Sequence, residues 1–445
     1  MQLEFNKGLD LVFGLNSEQV IGAAPQVSTL AILGRDFIGL NPRVLVKPGQ
    51  AVVLGEPLLL DKHDPAIQIT APGSGRVAEV NLGKRRRLLS VVIELDESAA
   101  AAKKFTLPNI TDAAGIRELL LNSGAWTGFR TRPFNNIPAA DSTPSALFIT
   151  AIDTRPLSAD PNLVIAEKLQ EFATGMRVVA ALAKVPVFLC TASNWLGPEP
   201  EGKQIQRVEF SGPHPAGLPG THIHHLHPAS RERVSWHINY QDVIAIGHLF
   251  ETRQLATERI ISVGGNDGIK PSIWRTRTGA NVEELSSERI NPNNKYRILS
   301  GSILDGFNAQ GPESFLGRYH HQISLIAEQP EPPQPGPVAG LYSTLLTRLF
   351  KSPLALRQTL QFDSDSGRQR SAIMPTEAFE QVIPLDILPT PLFRALLVKD
   401  TDTAQTLGCL ELAEEDLALS SFVCPARLDY GTILRANLDQ IQKEG

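Results

Sequence analysis

Cysteine is scarce in this chain. Only Cys190, Cys409 and Cys424 occur in 445 residues, all far apart. They cannot build a disulfide framework, which fits a reducing compartment, and they offer no run of paired thiolates for an iron–sulfur cluster. No apolar run approaches the roughly 20 residues that span a bilayer, so any membrane role is expected to run through partners. The opening Met1-Gln2-Leu3-Glu4-Phe5-Asn6-Lys7 lacks a basic stretch followed by an apolar one, and no secretory signal is expected. Positive charge is not in surplus either. The net charge is −5, so the overall balance favours neither nucleic acid nor an anionic surface. Also absent are Gly-x-Gly-x-x-Gly after a strand, Gly-x4-Gly-Lys-[Ser/Thr] and Gly-x-Ser-x-Gly. These absences argue against dinucleotide binding, a phosphate loop and a serine-hydrolase elbow.

What is present is ordinary globular material, 42% hydrophobic and 20% charged, in a chain long enough for several domains. The expected class is α+β and multidomain. Residues 1–105 read as short strands between Pro- and Gly-containing turns: Lys47-Pro48-Gly49, Gly55-Glu56-Pro57 and Ala71-Pro72-Gly73-Ser74-Gly75 separate Val44–Val46, Val52–Leu54, Leu58–Asp61, Ile67–Thr70 and Val77–Val80. This rhythm resembles the barrel-sandwich domain of biotinyl and lipoyl carriers. The carriers' lysine hairpin is not matched, because Gly83-Lys84-Arg85-Arg86-Arg87 is too basic. That run reads as a solvated hairpin tip, with lipid headgroups as the alternative contact.

Residues 106–256 alternate strand and helix, with Ser145–Ala151 and Val185–Cys190 as strands and Pro161–Ala183 and Gln241–Phe250 as helices. The order predicts a parallel, Rossmann-like α/β layer without a nucleotide motif. Residues 257–328 place a short helix at Val282–Leu285 between strand pairs. Residues 329–445 begin with a proline-rich linker and continue as short helices at 339–356, 376–382, 390–398, 404–407 and 414–420, with Thr376 and Asp402 as caps.

Three chemical temptations lose to plainer readings. Gly264-Gly265-Asn266-Asp267-Gly268 reads as a turn between strands rather than a phosphate cradle. Thr221-His222-Ile223-His224-His225-Leu226-His227, taken as a loop or strand, would put only two imidazoles on each face, an incomplete zinc site. His237, among aromatics, reads as a hydrogen-bonded buried histidine rather than a general base. No catalytic set, metal site or cofactor site is assigned to the chain.

Several segments are too idiosyncratic for a generic fold: Lys7-Gly8-Leu9-Asp10, Trp126 through Phe134, Gly212 through Gly217, Trp236 through Ile244, and the C-terminal Pro384–Pro389, Thr401–Gln405, Leu407–Leu412 and Glu414–Leu417. Together they resemble the A subunits of bacterial sodium-translocating NADH:quinone oxidoreductases, over nearly the whole chain. The resemblance implies a peripheral protein on the cytoplasmic face of the bacterial inner membrane, docked on the integral membrane B subunit of a six-subunit complex. That complex oxidises NADH, reduces ubiquinone and exports Na⁺, with FAD, a 2Fe–2S centre and covalent flavins on its other members. It further implies kinship with the C subunit of the Rnf complex and, for the middle domains, with the flavin and β-grasp domains of the NADH-oxidising component of complex I. Independent catalysis is not expected of this chain. A ubiquinone contact is expected where an apolar slot meets aromatic faces and donors. The candidates are Leu33, Phe37, Ile38, Trp126, Phe129, Arg130, Arg132 and Phe134. Two other readings stay open: an autonomous flavin- or lipoyl-type carrier, and a scaffold with no ligand.

Overall fold

A computed structural model describes residues 1–11, 20–96, 102–266, 269–328 and 377–444. Its first two strands, β1 (Gln2–Glu4) and β2 (Ile21–Ala23), leave the neighbouring barrel to pair elsewhere. The barrel-sandwich itself comprises β3 (Thr29–Leu33), β4 (Pro42–Val44), β5 (Ala51–Val52), β6 (Pro57–Asp61), β7 (Gln68–Thr70), β8 (Gly75–Leu82) and β9 (Leu88–Leu95). A four-stranded sheet, β3-β9-β8-β5, faces a three-stranded one, β4-β6-β7. Alternation makes the sandwich. Val77 and Ile93 point in at zero exposure while Arg76 and Ala78 point out.

The α/β layer contains α1 (Ala113–Ser123), β10 (Arg130–Arg132), β11 (Ala146–Ala151), α2 (Pro161–Ala166), α3 (Leu169–Ala183), β12 (Val187–Thr191), β13 (Ile205–Ser211), α4 (Pro219–Leu226), β14 (Ser235–Asn239) and α5 (Tyr240–Thr252). The strand order is β1-β13-β12-β11-β14-β10, parallel throughout except for β10. Every residue of β11 is buried, as a strand covered on both faces requires. The single helix expected over 161–183 is two: Asp160 caps the Asn162 N–H with Pro161 at the first position, and the chain breaks at Glu167-Lys168 before α3. The histidine stretch is a helix, not a strand. Pro219 starts α4 after an extended Leu218, so the imidazoles radiate around an axis instead of alternating.

A mixed sheet follows, from β15 (Glu258–Gly265), β16 (Ser272–Arg277), β17 (Tyr296–Ser300), β18 (Phe307–Asn308) and β19 (Gln322–Ala327), with α6 (Val282–Ser286) packed on it. Its order is β18-β17-β19-β15-β16-β2. Gly264 and Gly265, expected in a turn, end β15 and pair with Ser324 and Leu325 of β19. A side chain at Gly265 would overlap the Leu325 carbonyl, so glycine serves close strand approach here.

The end domain holds α7 (Ala378–Val382), α8 (Pro389–Val398), α9 (Thr401–Thr406), α10 (Ala418–Val423) and α11 (Tyr430–Glu444). Phe379, Phe393 and Tyr430 form its centre, the last two stacked at 4.1 Å between centroids. Asp400, not Asp402, caps α9 by accepting the Thr403 N–H. The 414–420 helix is a 3-10 turn, Glu414–Leu417, leading into α10, and α11 had no counterpart among the expected helices. The expected proline-rich linker, the 339–356 helix and the Thr376 cap lie outside the described residues. Leu9 and Leu11 pack into this helical core, so the N-terminal segment runs between the α/β layer and the end domain.

Helices α3 and α5 meet at two glycines. A Cβ at Gly247 would overlap the Glu171 carbonyl oxygen, and one at Gly175 that of Val243. Gly247→Ala should therefore cost about 1–3 kcal/mol, read as a lower urea midpoint with an unchanged m-value.

Candidate functional site

A cleft of about 1740 Å³ receives side chains from all four units. The barrel supplies Gly34–Val44 and the 85–88 turn, the α/β layer Arg130 and Arg155, the mixed sheet Gly301, Ser302, Leu304–Phe307 and Tyr319–Gln322, and the end domain Glu414, Glu415 and Arg435. Its floor is ionic. Arg155, in the loop after β11, donates to Asp305 Oδ2 at 2.9 Å and to Glu415 Oε2 at 2.5 Å, with Asp153 at 3.5 Å. Arg132 on β10 has no exposed surface; it reaches Glu415 Oε1 at 3.1 Å and Asp416 Oδ2 at 3.4 Å, and donates to Asn135 Oδ1 at 2.6 Å. Arg435 on α11 clasps Glu414 through two nitrogens at 2.6 and 2.9 Å and donates to the Phe134 carbonyl.

His237 follows from this arrangement. Arg132 Nη1 lies 2.9 Å from His237 Nε2, and a guanidinium only donates, so that nitrogen accepts and the ring is neutral. Burial, reinforced by Arg132, holds its pKa well below the usual histidine range. The expected buried, hydrogen-bonded histidine is what the structure contains. Burial also lowers His214 to about 3 and His320 to about 4. Burial alone would raise the Glu414 carboxyl, but the Arg435 clasp brings it down to about 2.

A smaller cavity of about 110 Å³ sits behind the cleft between barrel, α1, α5 and mixed sheet. Ala31, Leu33, Phe37, Ile69 and Ile246 give it apolar walls, and one side is closed by Asp242 held between Arg318 at 2.7 Å and Arg259 at 3.1 Å. Asp36 joins the two spaces. Its carboxylate accepts the Arg318 backbone N–H at 2.8 Å, and burial pushes its pKa up to about 6 despite Arg35, Arg130 and Arg318.

The structure divides the eight candidate residues. Leu33 lines the small cavity, Phe37 both spaces, and Ile38 and Arg130 the cleft, where the Arg130 guanidinium lies 4.4 Å from the Tyr319 ring centroid. Trp126 and Phe129 are instead fully buried against Trp236, with centroids 5.4 to 5.7 Å apart, and Trp126 Nε1 donates to the Pro138 carbonyl. Arg132 is the buried ion-network member, and Phe134 packs on the end-domain core. Arg155, Asp305 and Arg318 carried no sequence signal. The acidic triplet Glu414-Glu415-Asp416 did, without its partners. In the histidine stretch, His224 Nδ1 lies 2.8 Å from Glu411 Oε2 while Nε2 accepts the Asp386 N–H, and His225 lies 3.1 Å from the Pro384 carbonyl. These rings dock α4 on the end domain. Among the described residues no group of three or more His, Cys, Asp or Glu side chains could hold a metal ion, and no helix is long and apolar enough to cross a membrane.

Fold and site thus define a multidomain chain of barrel-sandwich and α/β construction, closed around an interdomain ion network. Family models agree: NqrA N-terminal barrel-sandwich hybrid domain over residues 3–96, NqrA second alpha/beta domain over 111–255, and NQRA C-terminal domain over 260–311. The chain is 42% identical to the A subunit of the Na(+)-translocating NADH-quinone reductase of Rhodopirellula baltica, over 99% of this chain and 98% of that protein. Its identity to the same-named proteins of Shewanella amazonensis and Pseudomonas aeruginosa is 43% and 45%, each over the full length of both. The chain belongs to the NqrA family, the A subunits of Na(+)-translocating NADH-quinone reductases. A solved NAD⁺-reducing [NiFe]-hydrogenase covers 76% of this chain and 62% of its own at 11% identity and a TM-score of 0.42, too distant to carry an argument.

Two predictions follow from the network. Arg132→Leu leaves Asp416 buried and unpaired and should cost about 3–5 kcal/mol of unfolding free energy, whereas Arg132→Leu/Asp416→Leu should recover much of that loss. For Asp36, a folded pKa above the unfolded 3.8 means the folded state holds its proton longer, so the contribution is present at low pH and lost as pH rises through about 6. Asp36→Asn keeps an acceptor for the Arg318 N–H. Its stability relative to the parent should rise between pH 4 and pH 6.5, by about 1–3 kcal/mol in paired denaturant titrations.

Proposed function

We propose that this chain is a subunit of a sodium-pumping NADH:quinone oxidoreductase, with no membrane-crossing helix among its described residues, acting as the rigid peripheral body that shapes a quinone contact. The observation that carries the reading is 42–45% identity, across essentially the whole length, to proteins named as the A subunit of that reductase. In this reading the assembled complex is the enzyme: it oxidises NADH, reduces ubiquinone and moves Na⁺. FAD, the 2Fe–2S centre and covalent flavins are assigned to its other members. The chain docks from the cytoplasmic face on the integral membrane B subunit of a six-subunit complex.

The quinone contact is assigned to the candidates that reach open space: Leu33, Phe37, Ile38 and Arg130. Phe37 lines both cavities and offers an aromatic face, while Arg130 supplies a donor at the cleft. Trp126, Phe129, Arg132 and Phe134 act behind them by holding β10 and the following turn in place. The finer likeness of the middle layers to the flavin and β-grasp domains of complex I belongs to the same reading. The parallel strand order and the short helix on a mixed sheet support it.

Titration of the full chain with a short-chain ubiquinone, followed by tryptophan fluorescence, should give saturable quenching. Phe37→Ala and Arg130→Ala should weaken it several-fold, and Ile38→Ala less. A linear, non-saturating response to quinone, unchanged in Phe37→Ala, would leave a scaffold. Saturable FMN binding would instead favour a flavin carrier.

A further inference from the structure

The cleft is lopsided in charge. Most of its acidic side chains are satisfied internally, Glu414 by Arg435, Glu415 by Arg132 and Arg155, and Asp305 by Arg155, while the exposed Asp429 accepts, among the described residues, only from Thr432. The barrel wall opposite carries Arg43, Lys47, Lys62, Arg85, Arg86 and Arg87, all lining the cleft and all exposed. Among the described residues none of these six has a carboxylate within ion-pairing distance; Lys62 finds only the Asn41 side-chain oxygen at 3.2 Å. Arg85 and Arg86 also occupy left-handed backbone positions, φ 55° and 60°, in the tight turn between β8 and β9. Glycine or asparagine is the ordinary choice there, so the turn itself does not call for arginine.

Apolar tips stand among these cations. Leu82, on the same hairpin, is 46% exposed, and Leu45, between Arg43 and Lys47, is 41% exposed. Cations interleaved with exposed leucines match the interface of an anionic bilayer, where headgroup phosphates meet the charges and the apolar tips enter the acyl boundary. Acidic side chains alone would satisfy the arginines but give the leucines no partner. With a net charge of −5, the rest of the surface repels such a bilayer, so attraction must be local.

We propose that this basic, leucine-tipped rim of the barrel-sandwich is a contact for an anionic phospholipid headgroup layer, orienting the chain against a membrane. The assignment does not depend on the quinone contact. It is tested by co-sedimenting the full chain with vesicles of phosphatidylcholine alone or mixed with phosphatidylglycerol. Binding is expected only to the mixed vesicles and should fade as salt shortens the Debye length from about 10 Å at 0.1 M toward about 3 Å at 1 M. Arg85→Glu/Arg86→Glu/Arg87→Glu should bind at least about tenfold more weakly, and so should Arg43→Glu/Lys47→Glu on a different strand, which guards against a misfolded turn. Leu82→Ser should weaken binding while leaving its salt dependence intact. Failure of the unaltered chain to sediment with the mixed vesicles overturns the proposal. So does equal binding by both charge-reversed variants, or their loss of binding to an acidic protein alone.

Discussion

Glu415 is gripped by two arginines at once, and the arrangement of the domains depends on that shared carboxylate. Arg132 comes from β10, Arg155 from the loop after β11, and Arg155 carries the contact on to Asp305 of the mixed sheet. Three regions of the fold therefore meet at one charge cluster. A buried ion pair contributes little net stability compared with well-packed apolar residues, yet loss of one partner strands the others in a medium that cannot solvate them. Such a cluster acts on geometry. Sliding the end domain by an ångström or two would unmake several charge-assisted hydrogen bonds together, whereas a purely apolar contact would tolerate it.

A second knot, Asp242 between Arg259 and Arg318 with Asp36 receiving the Arg318 N–H, performs the same service between barrel, α5 and mixed sheet. The first knot lines the cleft together with Arg130, the second lines the small cavity, and Phe37 borders both spaces. The cleft persists because its corners are pinned by ions while its walls are short strands and turns. Direct apolar packing of the four units would have closed it.

The parts of the fold legible in the sequence were those governed by local pattern. Alternation at Ile67–Thr70, the mostly apolar run Ala146–Ala151 and the Pro–Gly turns were sufficient because burial period and turn chemistry are encoded over a few residues. The break at Glu167-Lys168 was invisible, since apolar spacing continues in phase across it. The histidine stretch was misread because imidazoles carry little propensity of their own, and the deciding signal was Pro219 before them. The ion network could not be read at all: Arg132 and Glu415 are 283 residues apart, and nothing local marks them as partners. The same limit explains the divided candidate set. Aromatic residues beside arginines describe a quinone slot and a packed core equally well, and only the sheet decides that Phe37 faces a cavity while Trp126 faces Trp236.

The placement of β1 and β2 makes the chain less modular than its four regions suggest. Gln2–Glu4 forms the edge of the α/β sheet beside β13, and Ile21–Ala23 the edge of the mixed sheet beside β16, although both precede the barrel. These early segments thus find their partners only about two hundred residues or more further along the chain. Until then each sheet presents an open edge, the feature that invites pairing with other chains. Cutting the protein at its domain boundaries would make that exposure permanent, so the N-terminal segment works as a stitch through the whole molecule rather than as the beginning of one domain.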